Sequence, residues 1–275
     1  MPVLYLVATP IGNLEDISLR ALRTLREVGL IAAEDTRHTK RLLKAYDITT
    51  PLTSYHEHNK LTKLGYILNC LESADVAVVS DAGMPGMSDP GYELVVAAGA
   101  RGIPIVPVPG PSSVVTALVV SGLPTTRFVY LGFLPRKAGS RRKALTSVAK
   151  EPGTIVILES PHRLLSVLKD IESVLGDREL AVCRELTKIH EEVFRGRVSE
   201  ALEHFVQPRG EFTLVIAGNP EEAAEPQLTE AIIEQLRDLR LAGLKAKDAV
   251  AKVTAETGLP RKEVYRAWLR SSSKS

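Results

Sequence analysis

Residues 78–91 read Val-Val-Ser-Asp-Ala-Gly-Met-Pro-Gly-Met-Ser-Asp-Pro-Gly and follow a strand-like apolar segment. The stretch combines two aspartates with three glycines and two prolines, which is hard to explain as a plain connector. Glycine permits a positive φ or a close approach of the backbone to a ligand, and proline stiffens a loop. Open α/β sheets bind ligands at the carboxyl ends of their strands, where Asp81 and Asp89 would lie. The stretch therefore predicts a small-molecule site in an α/β protein.

Strand and helix signals alternate on both sides of this loop. Short apolar runs such as residues 3–7 are typical of strands buried on both faces, and the run at 75–80 is expected to be central. We predict an N-terminal α/β domain at 1–112 and a second α/β domain at 113–219. The expected strands are 3–7, 30–33, 51–54, 75–80 and 103–108 in the first domain, and 128–133, 154–158, 180–184, 192–195 and 212–217 in the second.

Local capping signals suggest where several helices begin. Asp89 before Pro90 is typical of a helix N-cap followed by proline in the first turn, so we expect Asp89 to be structural. Ser112 or Ser113 can cap a helix that runs through Ser121.

A change in composition marks the end of the second domain. Residues 219–227 are acidic and contain two prolines, which predicts a linker at 220–227. A helical extension is expected at 228–275, with helices at 228–241, 247–257 and 261–269. The whole chain is therefore predicted to hold two α/β domains and a small helical module.

Composition excludes several classes of protein. The 275 residues are 44% hydrophobic and 25% charged, with a net charge of +2, an ordinary mixture that does not by itself demand a nucleic-acid partner. No apolar run reaches the roughly 18 residues that a membrane helix needs. Cys70 and Cys183 are too few for a disulfide scaffold or a cysteine-based metal site. No signal peptide is recognisable, so we expect a cytoplasmic protein without a membrane partner.

Familiar ligand motifs are missing from the sequence. The first strand is not followed by Gly-x-Gly-x-x-Gly, and neither a Walker A motif nor a Gly-x-Ser-x-Gly elbow occurs. His56 and His58 are two residues apart without an obvious third ligand, so no metal is expected. Dinucleotide binding and nucleotide hydrolysis are therefore disfavoured.

Basic side chains are concentrated in one segment. Residues 136–150 contain six basic and no acidic residues, interleaved with glycine and serine. Such a segment favours a mobile arm that contacts the phosphates of a polyanion. Its basic residues are Arg136, Lys137, Arg141, Arg142, Lys143 and Lys150.

Seven segments, taken in order, resemble the ribosomal RNA methyltransferases of the tetrapyrrole methylase superfamily, and the resemblance covers about residues 3–218. It implies that S-adenosylmethionine binds in the cleft between two α/β domains. It also implies 2′-O-methylation of a cytidine in the decoding region of 16S ribosomal RNA, with that RNA or the small ribosomal subunit as partner, by a homodimer. The segments are Thr-Pro-Ile-Gly-Asn-Leu at 9–14, Glu-Asp-Thr-Arg at 34–37, residues 80–91, Pro-Gly-Pro-Ser at 109–112, Leu-Glu-Ser-Pro-His-Arg at 158–163, Arg-Glu-Leu-Thr-Lys at 184–188, and Gly-Glu-Phe-Thr-Leu-Val-Ile at 210–216.

The resemblance also implies which residues hold the cofactor. Met84 stands where close relatives often have threonine, so it is expected to contribute shape rather than a hydrogen bond. Ser112 and Ser113 would bind the polar tail through backbone amides at a helix start. The implied cofactor residues are Pro10, Asp81, Gly83, Met84, Met87, Ser112, Ser113, Leu158 and Glu211.

Methyl transfer to a hydroxyl requires a group that accepts its proton. The candidates are Asp35, His56, Asp81, Glu159 and Glu185, and we favour Asp35 or Asp81. Arginine binds phosphate oxygens through two nitrogens, which suits it to holding an RNA backbone. Besides residues of the basic segment, the expected RNA contacts are Arg37, His162, Arg163 and Lys188.

Three alternatives remain open at this stage. A porphyrinoid C-methyltransferase of the same superfamily is one, although the basic segment favours a phosphate chain over a tetrapyrrole with a few carboxylates. Methylation of a protein, of the diphthamide type, is another. A non-enzymatic protein that docks on a nucleic acid through the helical extension is the third.

Overall fold

Five short parallel strands form the first sheet of the computed structural model, which describes residues 1–219 and 228–270. The strands are β1 (Leu4–Val7), β2 (Leu30–Ala33), β3 (Leu52–Ser54), β4 (Val76–Val79) and β5 (Ile105–Val108). Their order is β3-β2-β4-β1-β5, so β4 is central as expected. All carboxyl ends of parallel strands meet at one edge, and the loops after β1, β2 and β4 therefore converge there.

Helices cover both faces of this sheet because successive side chains of each strand point to opposite sides. Ile31 and Ala77 pack with Leu25 in one apolar cluster, whereas their neighbours Ala32 and Val78 pack in another on the opposite face. The helices are α1 (Leu19–Glu27), α2 (Thr36–Ala45), α3 (Lys60–Cys70) and α4 (Tyr92–Ala100), with a 3-10 turn at Leu14–Asp16.

The second sheet is mixed. It contains β6 (Phe128–Phe133), β7 (Thr154–Glu159), β8 (Glu179–Arg184), β9 (Glu192–Arg197) and β10 (Phe212–Ile216), in the order β6-β7-β10-β8-β9. Only β6 and β7 are parallel. Helix α5 (Ser113–Ser121) shares an apolar cluster with this sheet, and α6 (Ala138–Ser147), α7 (Leu164–Leu175) and α8 (Val198–His204) follow later in the chain.

The two capping predictions have opposite outcomes. Ser112 is the N-cap of α5, and its hydroxyl accepts from the Val115 amide at 3.5 Å. The prediction for Asp89 is wrong, because α4 begins only at Tyr92 and its N-cap is Gly91 at φ 155°. That positive φ is open to glycine but strained for other residues, so the chain turns once more after Asp89 before the helix starts. The Asp89 carboxylate is therefore not used to cap α4.

The basic segment is not a mobile arm over most of its length. Residues 138–147 form α6, and Arg141 on this helix is buried. Its guanidinium donates to the buried Asp170 of α7 at 2.6 Å, and Arg142 donates to the other oxygen at 2.7 Å. The expected RNA contact at Arg141 is therefore wrong, since packing of α6 on α7 commits this side chain to an internal ion pair.

The described chain divides into two compact units, residues 1–218 with both sheets and residues 219–275. In the second, α9 (Glu230–Leu241), α10 (Ala246–Thr257) and α11 (Arg261–Arg270) pack around Leu236, Val253 and Trp268. These helices agree with the prediction to within a few residues. The predicted linker at 220–227 lies outside the described residues. None of the helices in the described ranges is long and apolar enough to cross a membrane.

Candidate active site

A cavity of about 560 Å³ lies where the loops of the first sheet meet strands of the second. Loop 80–91 and the start of α5 form one side, and β6, β7 and β10 contribute to the other. The residues that line it include Ile11, Glu34, Asp81, Asp89, Tyr130, Leu158, Glu159, Glu211 and Phe212.

Loop 80–91 is held against the loop after β1. Thr9 and Gly83 exchange two backbone hydrogen bonds, of 2.9 and 3.0 Å. Gly83 takes φ +78°, a region that glycine enters without steric cost. The Thr9 hydroxyl also donates to the Ser80 carbonyl at 3.1 Å. Loop 80–91 is thus fixed to the first sheet and faces the cavity.

The same loop is tied to the second sheet. The hydroxyls of Ser88 and Tyr130 lie 2.7 Å apart, which joins the loop to β6. A side chain at Gly132 would not fit beside this contact, because a Cβ there would lie 2.9 Å from the Ser88 Oγ. The cavity wall therefore depends on both sheets.

Three carboxylates of the first sheet's loops converge on the cavity. The Asp81 amide donates to Glu34 Oε2 at 3.2 Å, and Asp81 Oδ1 accepts from the Asp35 amide at 3.0 Å. These two bonds join the loop after β2 to the loop after β4. Asp89 lines the same cavity. Within the described chain, Glu34, Asp81 and Asp89 form no ion pair with a basic side chain.

Crowding of these groups changes their protonation. Burial, reinforced by the negative charge of Glu34, raises the pKa of Asp89 to about 7, although a hydrogen bond from Ser80 opposes the shift. Burial likewise raises the pKa of Glu34, although the hydrogen bond from the Asp81 amide opposes the shift. At neutral pH the Asp89 carboxyl therefore exists in both protonation states.

This shift predicts that Asp89 destabilises the empty protein at alkaline pH. The pKa of Asp89 is higher in the folded than in the unfolded state, so the folded state binds more protons between about pH 4 and pH 7 and loses stability as the pH rises through that range. Asp89→Asn should therefore raise the free energy of unfolding at pH 8 by on the order of 1–3 kcal/mol, with a smaller gain at pH 5. Urea denaturation at both pH values measures the difference, and equal stabilities at pH 8 would contradict it.

The carboxylates contributed by the second sheet have basic partners. Glu159 is buried; its Oε1 accepts from the Ser160 amide at 2.7 Å, and Arg163 lies 3.2 Å from its Oε2. Lys188 contacts both Glu185 and Glu211 at 2.9 Å. Arg163 and Lys188, which were predicted to hold RNA, are therefore engaged in ion pairs that shape the cavity wall.

Asp35, a favoured proton acceptor, lies outside this lining. Its carboxylate caps α2 by accepting from the Arg37 amide at 2.7 Å, and it also pairs with the Arg37 guanidinium. Hydrogen bonds from Arg37 hold the pKa of Asp35 well below its usual range. Pro10 is buried and does not line the cavity. The predicted residues that the structure does bring together are Asp81, Gly83, Met84, Met87, Ser112, Ser113, Leu158, Glu159 and Glu211.

Sequence reasoning missed several cavity residues. Glu34 directly precedes Asp35 in segment 34–37, so the sequence could have indicated it as a candidate for the site. Tyr130 lies within a strand whose apolar pattern does not distinguish a cavity wall from a core. The basic residues Arg136, Lys137, Arg142, Lys143 and His162 are exposed and stay predicted RNA contacts.

Comparisons with known proteins agree with this architecture. A family model described as Tetrapyrrole (Corrin/Porphyrin) Methylases matches residues 3–202, and one described as RsmI C-terminal HTH domain matches residues 227–272. A curated relative from Halalkalibacterium halodurans, named Ribosomal RNA small subunit methyltransferase I, is 46% identical and covers 96% of this chain and 94% of its own. A relative of the same name from Synechocystis sp. is 48% identical and covers 97% of each chain.

Solved structures share the fold at low sequence identity. A diphthine synthase has a TM-score of 0.64 at 13% identity and covers 80% of this chain and 93% of its own. A uroporphyrin-III C-methyl transferase from Thermus thermophilus, complexed with S-adenyl homocysteine, has a TM-score of 0.57 at 22% identity and covers 78% of this chain and 97% of its own. These likenesses concern the fold alone.

Proposed function

Because this chain belongs to the ribosomal RNA small subunit methyltransferase I family of tetrapyrrole methylases, we propose that it transfers a methyl group from S-adenosylmethionine to the 2′-hydroxyl of a cytidine in the decoding region of 16S ribosomal RNA. The observation that carries the proposal is the cavity between the two sheets, with its three carboxylates that form no ion pair with a basic side chain in the described chain.

The residues of the cavity fit the cofactor. Among the described residues, no lysine, arginine or histidine lines it, so its carboxylates favour a ligand with positive charge. Ile11, Leu158 and Phe212 offer an apolar surface suited to adenine. The amides at the start of α5 suit the cofactor's own carboxylate.

When bound, S-adenosylmethionine supplies a methyl group on a positively charged sulfur, which leaves as a neutral thioether. The protein's main task is then to hold the ribose hydroxyl in line with that methyl group. Loop 80–91 is suited to this because hydrogen bonds fix it to both sheets.

Asp89 is the proton acceptor that we propose for this reaction. Asp81 and Glu34 each accept a hydrogen bond from a backbone amide that joins their two loops, so one oxygen of each is already committed to structure. Asp89 has no such backbone bond in the described chain, and its pKa of about 7 suits a general base near neutral pH. The other candidates are engaged elsewhere: Glu159 and Glu185 pair with basic side chains, and neither Asp35 nor His56 lines the cavity.

The exposed basic residues of segment 136–150 support an RNA partner. Arg136, Lys137 and Lys143 are open to solvent and can contact the phosphate backbone, whereas Arg141 cannot. A polycarboxylate porphyrinoid is the weaker candidate, since the cavity it would enter presents five carboxylates and, in the described chain, no basic side chain.

We further propose a cytoplasmic homodimer. Exposed apolar side chains on α4 and α5, which include Tyr92, Val96, Val115 and Val119, support a contact between two copies. Sedimentation equilibrium tests this, and a monomer at micromolar concentration would contradict it.

The enzymatic proposal is tested by incubating the protein with labelled S-adenosylmethionine and either purified 16S ribosomal RNA or assembled small subunits. We expect 2′-O-methylcytidine after nuclease digestion, identified by mass spectrometry, with the modified position mapped to the decoding region. Label in the base, in a tetrapyrrole or in no acceptor would reject the proposal. Running both RNA substrates side by side shows which state of the subunit the enzyme recognises.

A further inference from the structure

The helical unit presents a groove between α10 and α11. A three-residue turn, Gly258 to Pro260, joins the two helices, and Gly258 takes φ +70° at the end of α10. On α11, Val264 and Trp268 face the core of the unit, whereas Arg261, Lys262 and Tyr265 are exposed. The groove is lined by Ala246, Lys247, Val250, Arg261, Lys262 and Tyr265.

The lining of this groove is basic and its cations are unpaired. Lys247, Arg261 and Lys262 line it, and no acidic side chain of the described residues does. In the part of the chain that the structure describes, none of the three forms an ion pair. By contrast, Arg240 of the same unit stacks on Trp268, 4.4 Å from the ring centroid, and so contributes to packing. The groove cations are therefore available to an anionic ligand.

An aromatic ring lies among these cations. Tyr265 is 48% exposed although it lines the groove. A half-exposed ring between positive charges is suited to stacking on a nucleic-acid base while the neighbouring side chains bind phosphates. The groove thus combines the two contacts that single-stranded nucleic acids use.

We infer that the groove between α10 and α11 binds a single-stranded segment of RNA, with a base stacked on Tyr265 and phosphates on Lys247, Arg261 and Lys262. The choice of RNA rests on the proposed ribosomal RNA substrate. An RNA duplex fits poorly, because its major groove is too narrow to admit α11 and its bases are already stacked. Duplex DNA, whose major groove does admit a helix, is the competing ligand that the test must separate.

Binding of the full-length protein to a labelled, unstructured RNA of about 12 nucleotides, followed by fluorescence anisotropy without cofactor, tests the inference. The charge reversal Arg261→Glu with Lys262→Glu should weaken binding about tenfold or more at low salt. It should also reduce the slope of log affinity against log salt by about 1.4, which corresponds to two lost phosphate contacts. Tyr265→Ala should weaken binding about tenfold with little change in that slope, and Tyr265→Phe should bind like the wild type.

A matched control distinguishes the loss of groove contacts from the effect of a change in net charge. Arg237→Glu with Lys252→Glu makes the same change in net charge at exposed positions outside the groove lining, and should keep affinity within about threefold. Circular dichroism verifies the helices of each variant. If the charge-reversal variant loses helix content, the milder variant Arg261→Gln with Lys262→Gln replaces it in the binding assay. It should also bind the RNA more weakly than the wild type.

Several results would overturn the inference. Equal losses in the two charge-reversal variants would assign the effect to net charge, and wild-type affinity in Tyr265→Ala would remove the stacking contact. Tighter binding of duplex DNA than of single-stranded RNA would reject RNA as the ligand. Because the assay uses no cofactor, a failure here leaves methyl transfer by the wild type unaffected, and a failure of methyl transfer leaves this binding result unaffected.

Discussion

Asp89→Asn should lower kcat for methyl transfer by about 10²–10⁴-fold, the range typical of removing a general base. Asparagine keeps the size and polarity of the side chain but cannot take the proton from the ribose hydroxyl. Cofactor affinity should change by less than about tenfold, because Glu34 and Asp81 still supply negative charge to the cavity. Single-turnover kinetics together with calorimetry of cofactor binding measure the two quantities separately.

The pH dependence distinguishes a proton acceptor from a residue that merely shapes the cavity. A base must be deprotonated to act, so kcat/KM of the wild type should rise with pH and level off above the pKa of Asp89, about 7 in the free protein. Asp89→Asn should lose this rise. A variant with the wild-type pH profile at reduced rate would assign Asp89 a positioning role only.

Asp35→Asn is the matched control. It removes the same charge from a carboxylate that lies outside the cavity lining and caps α2. Asparagine is as good an N-cap as aspartate, so activity should stay within about threefold of the wild type. The opposite pattern, an inactive Asp35→Asn and an active Asp89→Asn, would restore the acceptor that the sequence favoured.

Asp89 shows which part of the candidate site could be predicted from the sequence and which part could not. The apolar runs of β1, β2 and β4 predict a buried parallel sheet, and a parallel sheet brings the following loops to one edge. That reasoning correctly predicts which loops lie next to one another. The role that we propose for Asp89, however, depends on the positive φ of Gly91, which delays the helix, and on the negative charge of Glu34 from another loop. Neither effect is visible in the local pattern Asp-Pro.

The second sheet shows a different limit. Its five strands were recognisable from short apolar runs, but the antiparallel pairing of β7 with β10 and of β10 with β8 was not. Strand direction depends on which distant segments pair, and a single sequence carries little information about that. For the same reason the contribution of Tyr130 could not be predicted, because its contact with Ser88 forms only when β6 lies beside the loop after β4.

Asp170→Ala, which removes the buried partner of segment 136–150, should destabilise the first unit by about 3–5 kcal/mol. The side chains of Arg141 and Asp170 are only 8% and 5% exposed, and removing the carboxylate leaves a buried guanidinium without its partner. The measurement is the free energy of unfolding from urea denaturation, where the loss should appear as a lower midpoint at unchanged slope.

Arg142→Ala is the matched control for this ion pair. Arg142 contacts the same carboxylate but its side chain is 60% exposed, so its loss should cost less than about 1 kcal/mol. The double variant Arg141→Met with Asp170→Leu removes both charges and should be more stable than Asp170→Ala alone. A loss below about 1 kcal/mol in Asp170→Ala would show that water reaches Arg141 and that it is open to RNA after all.

This ion pair determines how RNA contact by the segment has to be tested. Reversing the charge of Arg141 would place two carboxylates together in a buried site, so weaker RNA binding in that variant would report unfolding rather than a lost contact. Reversal at Arg136, Lys137 and Lys143, which are exposed, should instead weaken RNA binding while the free energy of unfolding stays within about 0.5 kcal/mol of the wild type. Unchanged RNA affinity at low salt in this triple variant would remove the segment from the RNA surface.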